Sequence, residues 1–155
     1  MRLLKKKNKG KDLKDIANDV ISFMGVSHME RETLLQYCRE TGISVHPYSS
    51  PETQDLAEKY GFRYLLNITS GIAFRNGNDY LIFFDDNLST IDQEIALAHE
   101  LGHIILGDLS VFGRSFAKKQ PLSELKEVCA DAFALYLLFP DTYTGKETEV
   151  KTNEP

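Results

Sequence analysis

Two histidines four residues apart, with a glutamate beside the first, stand in the run His99-Glu100-Leu101-Gly102-His103. The flanks are apolar, Ile95-Ala96-Leu97-Ala98 on one side and Ile104-Ile105-Leu106 on the other. On an α-helix, residues four apart lie on one face, one turn above the other, so both imidazoles can address a single ion. Glu100 sits about 100° around the same turn, near enough to hydrogen-bond water at that ion without being a ligand. This is the donor set of zinc hydrolase chemistry. The apolar flanks predict a buried helix, in which unpaired imidazoles and a carboxylate cost several kcal/mol. A metal ion supplies the missing partner.

A hydrolytic zinc site takes three protein ligands and keeps one position open. The third is expected from a second element, Glu124-Leu125-Lys126-Glu127-Val128-Cys129-Ala130-Asp131-Ala132-Phe133-Ala134-Leu135-Tyr136-Leu137-Leu138-Phe139, which Pro140 stops. Beyond Val128 this run is apolar apart from Asp131 and the amphipathic Tyr136. It reads as a buried helix carrying Glu127 and Asp131 at i and i+4. The economical arrangement has Glu127 bind the metal and Asp131 accept the N–H of a ligand histidine, fixing its ring. Glu124 is the rival third ligand and ranks below Glu127.

These two runs together resemble the ImmA/IrrE family of metallopeptidases. The resemblance rests on His99-Glu100-Leu101-Gly102-His103, then Glu127-x-x-Ala130-Asp131-x-Phe133-Ala134, then Leu137-Leu138-Phe139-Pro140, and covers roughly Glu30 to Pro140. Asp131 stands where asparagine is also common in that family, and Phe139 where methionine is common. The resemblance implies a zinc site of His99, His103 and Glu127, with Glu100 as catalytic base and Asp131 behind a ligand ring. It also implies a zincin-like core with a glutamate as third ligand.

The chain of 155 residues is one domain by size, and 42% hydrophobic with 26% charged residues is ordinary for a soluble globular protein. No apolar stretch approaches the ~20 residues of a membrane span. The basic start, Lys5-Lys6-Lys7-Asn8-Lys9-Gly10-Lys11, has no apolar segment after it and so is not a signal peptide. Cys38 and Cys129, without an export signal, read as reduced packing thiols, and the expected compartment is the cytoplasm. Residues 1–14 hold seven basic residues against one acid, whereas 15–140 hold nine against eighteen. An acidic body is a poor nucleic-acid surface and favours a basic protein partner. The expected organisation is a single metallopeptidase domain over 1–140, with 1–14 a basic arm or helix start, and a polar, disordered tail over 141–155.

The elements that must position the site follow from periodicity. Helices are expected over Asp12–Phe23, Glu30–Arg39 (ended near Thr41-Gly42) and Glu52–Tyr60 (capped by Gly61), with a short strand over Ile43–Tyr48. Gly71–Arg75 and Asp79–Phe84 flank Asn76-Gly77-Asn78 and read as a hairpin. The motif helix is expected over Thr90–Leu106, with Thr90-Ile91-Asp92-Gln93 as a capping box and Gly107 just past its end, followed by a loop over 108–120. The fold class is therefore α+β: a small twisted sheet with packed helices and the metal between two of them. Either hairpin strand, Tyr80–Phe84 or Gly71–Phe74, could hold an extended peptide by strand addition.

The chemistry implied is peptide hydrolysis, with Glu100 taking a proton from water and passing it to the leaving amine. A further donor for the developing oxyanion is expected from among His28, His46, Arg114, Tyr136 and Tyr143. Three functions fit. The first is a cytoplasmic zinc endopeptidase of the ImmA type that cuts a partner protein, a helix-turn-helix repressor of a phage or mobile element. The second is a metal-binding antirepressor that sequesters its repressor without cutting it. The third is a stress-response regulator of the IrrE branch, expected to carry further domains for which this chain has no room. No direct nucleic-acid or membrane contact is expected, and the oligomeric state is left open.

Overall fold

The computed structural model describes residues 10–109 and 123–142. In order they form α1 (Leu13–Met24), α2 (Arg31–Thr41), β1 (Ile43–Pro47), α3 (Pro51–Tyr60), α4 (Arg63–Leu66), β2 (Gly71–Asn76), β3 (Asp79–Phe84), α5 (Thr90–Ile105) and α6 (Glu124–Leu138). The expected α+β class holds, with one three-stranded sheet of order β1-β3-β2. β1 runs parallel to β3, with Ile43 opposite Tyr80, and β2 runs antiparallel to it, with Gly71 opposite Phe84. Short α4 was not foreseen, because a single turn carries too little periodicity to read.

The sheet is covered on both faces, and the alternation of β3 shows how. Tyr80, Ile82 and Phe84 join the larger core with helices α1, α2, α5 and α6. Phe83 faces the other way, into a smaller cluster with Tyr48, Ala57, Phe62, Ile72 and Phe74. Successive side chains of a strand point to opposite faces, so a strand buried on both sides reads as a continuous apolar run. Leu101 and Ile104 of α5 are fully buried in the larger core, each contributing about 1.5–3 kcal/mol.

Caps set the helix boundaries. The Asp12 side chain accepts from the Asp15 N–H at the start of α1, and glycines in the left-handed conformation end α1, α2 and α3 at Gly25, Gly42 and Gly61. The cap of α5 lies one residue earlier than expected: Ser89, not Thr90, accepts from the Asp92 N–H, because its side chain is the one aimed at the third amide of the first turn. The hairpin turn narrows to Gly77-Asn78, with Asn76 opposite Asp79 and Gly77 at φ 64°.

One expectation is overturned by the strand order. Tyr80–Phe84 is the central strand, bonded on both edges, so it offers no edge for strand addition. Gly71–Asn76 is an edge strand. The expected basic arm falls mostly on residues 1–9, outside the described residues. Of the expected tail, residues 141 and 142 are helical and the rest lies outside them.

Candidate metal centre

The motif helix meets its partner helix at a glycine. A Cβ on Gly102 would come within 3.1 Å of the Phe133 ring and 3.4 Å of the Ala130 backbone. The bare Gly102 surface therefore lets α6 lie close against α5, and Ala130 presents the matching small face. This close approach delivers two carboxylates of α6, one turn apart, to the two imidazoles of α5.

The geometry is convergent. Nε2 of His99 and Nε2 of His103 are 3.1 Å apart. Glu127 closes the triangle, with Oε2 3.2 Å from His99 Nε2 and Oε1 2.9 Å from His103 Nε2. Behind the rings, His99 Nδ1 lies 2.7 Å from Asp131 Oδ1, and His103 Nδ1 lies 3.0 Å from Asp108 Oδ2. Asp131 and Asp108 can only accept, and with a proton held on each Nδ1 both Nε2 atoms would be free to offer lone pairs to a cation placed between them and Glu127. Two lone pairs and a carboxylate facing one point form a face that a cation stabilises. Tetrahedral coordination with bonds near 2.0–2.1 Å would put ligand atoms about 3.3 Å apart, so the residues fit such an ion. His99, His103 and Glu127 form a group of donor atoms all within 4.8 Å of one another.

Burial is graded across the cluster. The His103 side chain is 3% exposed and His99 16%, whereas Glu127 is 47% and Asp131 67% exposed. The expectation that Asp131 lies in an apolar interior is therefore corrected. The buried face of α6 is Ala130, Phe133, Ala134, Leu137 and Leu138, and Glu127 and Asp131 flank it on the side open to solvent. Leu125 and Val128 are exposed too, so the first half of α6 is apolar without being interior. Glu124 stands in the first turn of α6, apart from the donor group.

Glu100 lies beside the cluster, with Oε2 3.9 Å from His99 Nε2 and a side chain 12% exposed. It lines a cleft of about 480 Å³ together with His99, Glu127, Ala96, Thr69 and Ser70. Gly71, at the head of the edge strand, forms the opposing wall, where a Cβ would come 3.0 Å from Glu100 Cγ. Beneath this wall the Tyr48 hydroxyl lies 2.8 Å from Thr69 Oγ1. Burial raises the Tyr48 phenol well above its ordinary value; the Thr69 hydrogen bond opposes this, and the charges of Glu100 and Asp85 add to it.

Of the five candidate oxyanion donors, the three among the described residues do not line this cleft. His28 pairs with Glu30 at 3.2 Å, in another cleft. His46 pairs with Glu52 at 3.1 Å and stacks on Phe83. Tyr136 packs against the larger core. Arg114 and Tyr143 lie outside the described residues. Cys38 is a buried free thiol, and Cys129, also free, is only partly buried.

Asp108 is the site residue that sequence reasoning passed over. It lies in a loop, as expected, and its N–H donates to the His103 carbonyl at 3.0 Å, which turns its carboxylate back onto the ring of the same residue. The available signal was an acid directly after Gly107, five residues beyond a motif histidine.

A family model described as the IrrE N-terminal-like domain, peptidase M78, matches residues 38–152, most of the chain. The chain belongs to this family. No curated protein and no solved structure matches it. Membership in the IrrE N-terminal-like family supports a metallopeptidase-type function, and both the motif helix and α6 fall inside the matched region. Residues before 38 nevertheless complete the fold of this IrrE-like domain: Ile16, Val20 and Ile21 of α1 belong to the larger core, and the Met29 N–H donates to the Leu137 carbonyl at 2.9 Å.

Proposed function

We propose that this protein is a zinc-dependent endopeptidase that cuts one partner protein at one or a few bonds, the partner being a DNA-binding repressor of a phage or mobile element. The observation that carries the reading is the convergence of the His99 and His103 Nε2 atoms and the Glu127 carboxylate beside Glu100, in a cleft that Gly71 of the edge strand also lines. Zinc held by His99, His103 and Glu127 would supply Lewis-acid activation of water and of a peptide carbonyl.

The protein's own groups divide the remaining work. Asp131 and Asp108 hold the two rings in the tautomer that leaves Nε2 free. Glu100, in a largely desolvated position, takes the proton from the attacking water and returns it to the leaving amine. Gly71 keeps the space in front of Glu100 clear, and the edge of β2 is suited to main-chain pairing with an extended substrate. Among the described residues no helix is long and apolar enough to cross a membrane.

The test is Glu100→Gln, which keeps size and hydrogen bonding but removes the base. Co-expressed with a candidate repressor, wild type yields fragments, and Glu100→Gln yields none while retaining metal and fold. Glu127→Ala loses the metal. Equal fragments from wild type and Glu100→Gln refute the role of Glu100. A stable uncut complex with both favours the sequestering antirepressor instead.

A further inference from the structure

An apolar strip leaves the catalytic cleft along α5. Ile91, Ile95 and His99 are spaced four apart and so lie on one line of the helix. Ile95 is 38% exposed and lines the catalytic cleft. Ile91 is 45% exposed and lines a second cleft of about 330 Å³ with Leu138 and Phe139, the latter 39% exposed. His99 meets Asp131 near the middle of α6, and Ile91 shares a cleft with its C-terminal end, so the helices run antiparallel with the strip along their seam. The two clefts share no lining residue, but Ile91 in one and Ile95 in the other lie one turn apart on the same face of α5, so the clefts open side by side along one apolar track.

The far end of this track is acidic. Glu30, Glu94 and Asp141 line the second cleft, and among the described residues no lysine or arginine does. His28 is there too, 3.2 Å from Glu30. Glu94 also accepts the Arg31 N–H at 2.7 Å. The Arg31 guanidinium itself is committed to Gln93 at 3.1 Å and Glu32 at 2.9 Å.

We propose that this track is a substrate-docking surface for an extended, basic segment of the substrate protein. Apolar side chains of the segment seat on Ile95, Ile91 and Phe139, while its lysines or arginines meet Glu30, Glu94 and Asp141. The proposal rests on the peptidase reading and adds the substrate class. Spacing sets the reach: the eight residues from Ile91 to His99 span about 12 Å of helix, which an extended peptide covers in about four residues. The apolar preference therefore begins about two residues from the scissile bond, at Ile95, and the basic preference about four residues from it.

The test is binding, so that it does not depend on turnover. A labelled twelve-residue peptide alternating Leu and Lys is titrated into the Glu100→Gln protein by fluorescence anisotropy, beside Leu/Glu and Ser/Lys peptides of equal length. The Leu/Lys peptide is expected to bind about tenfold tighter than either. Ile91→Asp with Phe139→Asp should abolish that preference. Asp141→Lys, which touches no packing, should weaken Leu/Lys binding roughly two- to fivefold. Melting curves establish that each variant is folded, and if the double variant is not, Asp141→Lys decides alone. Equal binding of the three peptides, or Leu/Lys binding unaltered in the folded variants, overturns the proposal. Leu/Lys binding that responds to the variants, in a protein that cuts no partner, sinks the peptidase reading and leaves the docking surface standing.

Discussion

Replacing Asp108 by alanine removes the acceptor for the His103 Nδ1–H. The His103 side chain is 3% exposed and that of Asp108 11%, so water has little access to the orphaned donor. Losing a hydrogen bond to a charged group and leaving a buried donor unsatisfied costs about 1.5–3 kcal/mol. For a chain of this length 1 kcal/mol corresponds to roughly 2–4 °C in Tm, so the metal-free protein should melt about 3–12 °C lower. The ring, no longer pinned, should also lose its preferred tautomer, weakening zinc binding by roughly ten- to a hundredfold. Asp108→Asn separates the two effects: its amide oxygen can still accept from Nδ1–H, so the melt should fall less, and affinity should lie between wild type and Asp108→Ala. Zinc affinity is read by competition with a chromophoric chelator, and stability by melting the chelator-treated protein. Wild-type zinc affinity in Asp108→Ala would refute the reasoning, because the ring would then be oriented by its packing alone.

Further outcomes follow from particular contacts. Gly71→Ala brings a methyl to about 3.0 Å from Glu100 Cγ, so kcat should fall about tenfold while metal content stays at the wild-type level; unchanged kcat would mean that Glu100 has room to move. Gly102→Ala forces the Phe133 ring and the Ala130 backbone apart from α5 and should destabilise by about 1–3 kcal/mol, measured by urea unfolding, with weaker zinc binding because Glu127 rides on the displaced helix. Burial pushes the Cys38 thiol up to about 12, so it stays protonated through neutral pH. Alkylation of the native protein at pH 8 should therefore label the partly exposed Cys129 and spare Cys38, as peptide mass mapping would show; rapid labelling of Cys38 would contradict its burial.

How far the chain could be read depended on the range of the interactions. The caps at Asp12, Gly42 and Gly61, the hairpin about Gly77 and the pairing of His99 with His103 are local, and each is written within a few residues. The partnership of Glu127 and Asp131 with those histidines was also legible, because i, i+4 spacing on two helices leaves few ways to join them. The exposure of Asp131 was not, since an apolar run does not say which of its faces meets solvent. The central place of β3 was hidden for a similar reason: strand order depends on where β1 returns, and β1 lies more than thirty residues before β3.

Local spacing along the chain, then, suffices to put the donor residues on shared helix faces. Helical periodicity aligns His99 with His103 and Glu127 with Asp131 whatever the surroundings. The distances at which these faces meet come from packing between segments far apart in the chain. Gly102 against Ala130 sets how closely the helices approach, and the turn after α5 folds Asp108 back onto His103. Packing around the sheet places Gly71 in front of Glu100 and leaves Ile91, Ile95 and Phe139 open along one seam. Those outcomes depend on contacts between residues distant in the chain, whose geometry emerges only when the whole core closes.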